Sequence, residues 1–254
     1  MFRPRVIPCL LLKNKGLVKT VKFKNSRYVG DPMNAIRIFN KKKADELIFL
    51  DIMATKENRI PDIELIKNIG EECMMPFAVG GGIKSMKDIE SIFKAGAEKV
   101  VINSAAVINP KILKDASSHF GRQSIIFSMD VKKNIFGNYI IYTNSGKKST
   151  GLNPFEFVKI AEENGAGEIF LNSIDRDGTY KGYDIELIKG ISNRLEIPVI
   201  ASGGASKIDD LKTAWVEGNA FASAAGSMFV FHGRKRAVLI NYPSRIELLN
   251  LYKS

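Results

Sequence analysis

Histidine, cysteine and tryptophan are scarce in this chain: 254 residues carry two, two and one of them. Cys9 and Cys73 lie far apart, and neither belongs to a CxxC pair. A disulfide framework and a cysteine-held zinc are therefore excluded, and nothing in the pattern asks for a metal or an organic cofactor. His119 and His232 are a thin supply for nucleophile–histidine catalysis. No run reaches the roughly 18 apolar residues of a membrane-spanning helix. The opening Met1-Phe2-Arg3-Pro4-Arg5 leads into a short apolar run, Val6–Leu12, without a small-residue cleavage site. It reads as a buried first strand rather than a signal peptide, and the expected compartment is the reducing cytoplasm.

Acidic residues are also in deficit. Lys+Arg total 38 against 27 Asp+Glu, a formal net charge of +11. Such a balance admits nucleic acid, an anionic surface or phosphorylated small molecules. The densest basic clusters, Lys41-Lys42-Lys43 and Arg234-Lys235-Arg236, have no interleaved aromatics. They are expected to be solvated faces, with no nucleic-acid or membrane partner.

Short apolar runs alternate with amphipathic stretches along the chain. The runs are Arg5–Leu11, Leu47–Ile52, Phe77–Gly80, Lys99–Asn103, Ser124–Asp130, Glu168–Ser173, Val199–Ser202 and Phe221–Ala225. Between them, sets such as Ile63, Ile66 and Ile69 recur at helical spacing. Eight βα units in a chain of this length predict a (β/α)8 barrel spanning 1–254 as a single domain. Runs apolar on both faces suit a parallel sheet covered by helices.

The chain also repeats itself. Ala44–Leu50 resembles Ala166–Leu171, and Pro76–Gly82 resembles Pro198–Gly204, at one offset of 122 residues. Two half-barrels are predicted, each with a glycine-rich turn at an equivalent place.

In such barrels, strand C-termini and their loops form the site. Asp51 and Asp130 end apolar runs, where a carboxylate is costly unless paired or solvated. Helix capping and general acid–base work are the two readings. Gly80-Gly81-Gly82 and Ser202-Gly203-Gly204 each follow a strand and precede a helix, a pattern suited to anions at backbone amides. Two copies point to a substrate with phosphates at both ends. Asn172–Thr179 is a polar turn in which Asp177 and the Gly178 amide are candidate substrate contacts.

These residues carry a resemblance. Arg5–Cys9, Gly30–Pro32, Ala44–Asp51, Val79–Lys84, Val101–Ala106, Gly165–Glu168, Ser173–Thr179, Gly182–Asp184 and Ile197–Gly204 together resemble the cyclase subunit of imidazole glycerol phosphate synthase, along essentially the whole chain. The resemblance implies a (β/α)8 barrel with a glutaminase subunit docked on its N-terminal face, and ammonia passing through the barrel to the C-terminal face. It implies a charged gate at the base from Arg5, Glu46, Lys99 and Glu168, which without the family reads equally as a salt-bridge ring. It assigns phosphate contacts to Gly82, Asn103, Ser104, Asp177, Gly178, Gly204, Ala225 and Gly226. It assigns acid–base catalysis to Asp130, with Lys19 and Asp51 in support.

The chain departs from the family at two places. The family's catalytic aspartate at the end of the first strand is here Leu11, within Pro8–Lys13 at unchanged spacing. Leucine transfers no proton, and losing one member of an acid–base pair costs about 10²–10⁴ in rate. The closing segments Ala224–Gly233 and Arg236–Pro243 also differ. They resemble a divergent branch linked to surface-polysaccharide synthesis. There, a glutaminase and a cyclase-like barrel supply ammonia to turn a sugar's acetamido group into an acetamidino group, with a third, ATP-using protein. The substrate would be a phosphorylated or nucleotide-linked sugar. Two alternatives stay open: a true cyclase of histidine biosynthesis, and a non-catalytic scaffold that regulates the glutaminase.

Overall fold

A computed structural model describes residues 3–233 and 235–253; Met1, Phe2, Ser254 and Arg234, the last from the second basic cluster, lie outside the described residues. Eight parallel strands close into a barrel: β1 (Arg5–Lys13), β2 (Leu47–Asp51), β3 (Phe77–Gly80), β4 (Lys99–Ile102), β5 (Ile125–Lys133), β6 (Glu168–Ser173), β7 (Val199–Ser202) and β8 (Ala222–Ala225). Each pairs with the next, and β8 returns to β1 with Arg5 opposite Ala222. The predicted (β/α)8 architecture is the observed one, with strand boundaries displaced by at most a few residues.

Helices alternate with these strands on the outside. Their starts follow capping chemistry. Asp31, Asp62, Asn153 and Asp184 each accept from a backbone amide of the first turn, and Ser85 and Asp88 form a capping box. Lys41 and Lys42 end the helix Pro32–Lys42, where cations suit the dipole, and this accounts for the first basic cluster locally.

Two apolar layers result. Residues such as Phe39, Phe77, Ile92, Phe127 and Leu211 are packed between strands and helices. A separate cluster fills the barrel interior: Ile7, Cys9, Ile48, Ala78, Val101, Ile126, Phe170, Ile200, Ala222 and Ala224. Alternation along each strand divides its side chains between these layers.

Two excursions were not predicted. β1 runs on into a hairpin, Gly16–Val21 against Lys24–Gly30, and β5 runs on into Tyr139–Thr143 and Lys148–Ser149. The turn between β1 and the first excursion strand uses Asn14 and Lys15, both at positive φ. At the other end of the chain, the Tyr242 hydroxyl donates to the Val6 carbonyl at 2.8 Å. Arg3 makes a two-pronged pair with Asp45, both contacts 2.6 Å. These contacts tie the tail to the barrel base.

Candidate active site

The strand starts carry the first functional constellation. Arg5, Lys99 and Glu168 open β1, β4 and β6, and Glu46 directly precedes β2. Arg5 pairs with Glu46 and, at 2.7 Å, with Glu168; Lys99 lies 3.0 Å from Glu46 and 2.8 Å from Glu168. The four side chains thus form a ring of alternating sign across the barrel base. Burial alone would raise the Glu168 carboxyl; Arg5 and Lys99 outweigh it and hold the group below the usual carboxylate range. Above this ring lies the apolar cluster of the barrel interior, and beyond it the upper cavity, which Ser128 and Ser202 also line.

That cavity, about 800 Å³, opens at the strand C-termini. Its size suits a small-molecule ligand. Asp51, Gly82, Asn103, Ser104, Asp130, Asp177, Gly178, Gly204, Ala225, Gly226 and Lys19 all line it, as does Leu11. Every sequence-predicted residue outside the basal ring is therefore brought to one place.

The two glycine turns are alike in backbone as well as in sequence. Gly81 and Gly82 have φ +119° and +67°; Gly203 and Gly204 have +93° and +108°. A Cβ on Gly82 would stand 1.8 Å from the Arg59 carbonyl oxygen, and one on Gly204 2.2 Å from that of Gly182. Only glycine fits either turn. A second pair of equivalents follows: Ser104–Ile108 begins after β4, and Ser227–Val230 begins after β8. Each half thus presents a glycine turn and the start of a short helix to the cavity, as the repeat predicted. Within the first half, the Gly82 amide donates to the Thr55 hydroxyl at 3.2 Å, and the Ser104 hydroxyl donates to the Asn103 side-chain carbonyl at 3.1 Å.

The titratable groups divide sharply. Asp130 lies at the end of the barrel part of β5, opposite Asn172, and is buried. Burial, and then the negative charge of Asp177, push its carboxyl up to about 7; the Asn103 amide, donating at 3.1 Å, opposes this. A carboxyl titrating there can both give and take a proton near neutrality. Asp177 is itself raised by burial, although it accepts from the Thr20 hydroxyl at 3.1 Å and the Phe23 amide at 3.3 Å. Lys19 reaches in from the first hairpin and donates to the Cys9 carbonyl; burial lowers its pKa. Asp51 differs from the other two aspartates. It accepts from the amides of Met53 and Ala54 at 2.9 and 3.2 Å and pairs with Arg59 at 2.6 Å. These bonds hold the loop after β2, close to the capping alternative. Arg59 went unnoticed in the sequence because its partner is eight residues upstream across an irregular loop.

Leu11 faces the cavity half-buried and packs on the apolar interior with Leu50. No carboxylate from the end of β1 stands across from Asp130. Among the described residues, no group of three His, Cys, Asp or Glu side chains is placed to hold a metal ion, and no helix is long and apolar enough to cross a membrane.

A closed eight-stranded parallel barrel with helices between its strands and a cavity at the strand C-termini is a (β/α)8 barrel with its site where such enzymes carry theirs. Residues 5–235 match the family described as histidine biosynthesis protein. A Pseudomonas aeruginosa protein named "Putative imidazole glycerol phosphate synthase subunit hisF2" is 51% identical over 96% of this chain and 97% of its own. A Vibrio vulnificus protein named "Putative imidazole glycerol phosphate synthase subunit hisF3" is 48% identical over 97% and 95%. The "Imidazole glycerol phosphate synthase subunit HisF" of Alkaliphilus metalliredigens is 43% identical over 91% and 92%. The chain belongs to the histidine biosynthesis protein family, as a HisF-like synthase subunit.

Proposed function

We propose that the chain is the synthase subunit of a heterodimeric glutamine amidotransferase that delivers ammonia for amidation of a sugar, acetamido to acetamidino, in lipopolysaccharide or surface-glycan biosynthesis. The carrying observation is Leu11. The cyclisation reaction of the resembled family uses two facing aspartates, and this cavity offers Asp130 without a partner at the end of β1. Asp51 does not substitute for it, because Arg59 and two amides hold its carboxylate.

On this reading, a glutaminase subunit docks on the N-terminal face and releases ammonia at the ring of Arg5, Glu46, Lys99 and Glu168. Opening of the ring admits it to the barrel. The apolar interior then favours passage of neutral ammonia over ammonium, since a bare charge there is strongly disfavoured. At the cavity, Asp130, with a carboxyl near 7, accepts the proton released as nitrogen attacks. A third, ATP-using protein activates the amide oxygen for departure, and the barrel, acting as one domain in the cytoplasm, needs no cofactor of its own. The phosphate-contact residues Gly82, Asn103, Ser104, Asp177, Gly178, Gly204, Ala225 and Gly226 hold the anionic ends of the substrate. The numerals 2 and 3 in two relatives' names fit a subunit present beside an ordinary one.

The test is complementation of a histidine auxotroph that lacks its own cyclase. The chain is expected not to restore growth. Restored growth would favour the alternative, a cyclase of histidine biosynthesis, in which Asp130 is the main acid–base group, helped by Lys19 and Asp51.

A further inference from the structure

The lysines around the cavity are all on one side. Lys13, Lys24, Lys56, Lys84 and Lys147 line it, and they come from the end of β1, its hairpin, the loop after β2, the turn after β3 and the excursion after β5. Among the described residues, none of the five has a carboxylate within ion-pair distance. Lys13 donates to the Ser26 hydroxyl at 2.9 Å and Lys84 to the Asn58 side-chain carbonyl at 2.6 Å, both neutral acceptors. The loops that carry the lysines converge. The Ser145 hydroxyl donates to the Ile52 carbonyl at 3.3 Å, and a Cβ on Gly146 would meet Phe23 at 2.8 Å. The opposite wall, from Asn172 through Gly204 to Ser227, contributes no basic side chain of its own.

The backbone amides of the glycine turns leave these ammonium groups uncompensated. A wall of one sign at a concave mouth concentrates multivalent anions. Lysine binds phosphate oxygens as a mobile point charge. Among the described residues, Phe23 is the only aromatic side chain lining the cavity, and one ring makes no stacking clamp for a nucleobase. We infer that this basic half of the mouth is an anion subsite for the diphosphate of a diphosphate-linked sugar, read through its phosphates and not through its carrier. The inference rests on the proposed sugar amidation and names its substrate class. The same diphosphate occurs on nucleotide and isoprenoid carriers.

Calorimetric titration of the purified full chain with inorganic pyrophosphate and orthophosphate tests it. The variants are Lys24→Gln/Lys56→Gln/Lys147→Gln, all exposed, and Lys41→Gln/Lys42→Gln/Lys43→Gln on the other end of the barrel, which changes net charge equally. Pyrophosphate is expected to bind the unaltered chain more tightly than orthophosphate. The rim variant should weaken it at least about tenfold, the scale of one lost charge-assisted contact, and the distal variant should not. Equal affinity for the two anions, or equal loss in both variants, would overturn the inference. Uridine diphosphate and geranyl diphosphate identify the carrier: tighter binding of either supports the subsite and assigns its source, and binding of neither overturns it. Tight pyrophosphate binding in a chain that also restores histidine prototrophy would keep the subsite and remove the proposed function.

Discussion

The two halves of the barrel share a plan and differ in charge. β1–β4 and β5–β8 each carry a positive-φ glycine turn after the third strand and a short helix start after the fourth, facing one cavity. From the first half, four lysines without acidic partners line the cavity; the second half adds Lys147 from the excursion after β5 and otherwise contributes backbone, small polar side chains and the buried Asp130–Asp177 pair. The difference teaches that the repeat preserves what backbone geometry does, while side chains specialise each copy. Glycine turns of this kind are a property of φ and close approach, so both halves keep them. Proton transfer and anion selection are properties of side chains, so they segregate.

The basal ring joins the halves: three of its charges come from the first and Glu168 from the second. Lys99→Met leaves buried Glu46 and Glu168 sharing Arg5 alone. Chemical denaturation should show a loss of about 3–5 kcal/mol, the scale of an ion pair broken from one side. Retained stability would mean the halves are held by packing alone. If the ring also gates ammonia, glutamine-dependent product falls in this variant. A scaffold that only regulates the glutaminase predicts an intact partner complex and no ammonia-dependent product to lose.

The next effect belongs to the second half alone. Asp130 binds its proton more tightly in the folded chain, with a carboxyl raised to about 7, than in the unfolded one. Protonation therefore favours the fold. The penalty is absent below about pH 4, grows as pH rises through the window between the two values, and is complete above about pH 7. Asp130→Asn should stabilise the chain by on the order of 2–4 kcal/mol at pH 8 and by little at pH 4. A gain independent of pH would contradict the assignment.

Gly82→Ala and Gly204→Ala test the shared part of the plan. Each places a Cβ against a carbonyl oxygen at positive φ, and each should cost more than about 1 kcal/mol. A cost in only one half would break the equivalence. The smallest effect is expected at the basic rim. Lys24→Gln/Lys56→Gln/Lys147→Gln, on exposed side chains, should move Tm by less than about 2 °C.

Much of this was legible before the fold was known. Parallel strands buried on both faces leave continuous apolar runs, so all eight could be read, and with them the strand ends that bear Asp51, Asp130 and the glycines. The helices between the strands were legible from apolar residues recurring at helical spacing, such as Ile63, Ile66 and Ile69. The hairpin Gly16–Gly30 was not, because its second strand, Lys24–Asn25-Ser26-Arg27-Tyr28, is exposed and leaves no apolar signature. The engagement of Asp51 by Arg59 was hidden because ion pairing depends on loop path and not on spacing. The +11 charge stayed unexplained because the rim lysines lie at positions 13, 24, 56, 84 and 147 and become neighbours only through barrel closure.

The central claim is that Leu11 removes half of an acid–base pair and with it the ordinary cyclisation. The direct measurement supplies the purified chain with ammonium salt and the bis-phosphorylated ribulosyl aminoimidazole carboxamide, and follows formation of imidazole glycerol phosphate. The account predicts no turnover in the unaltered chain and measurable turnover in Leu11→Asp, a difference of about 10²-fold or more. Turnover by the unaltered chain at a rate that Leu11→Asp does not raise would contradict it.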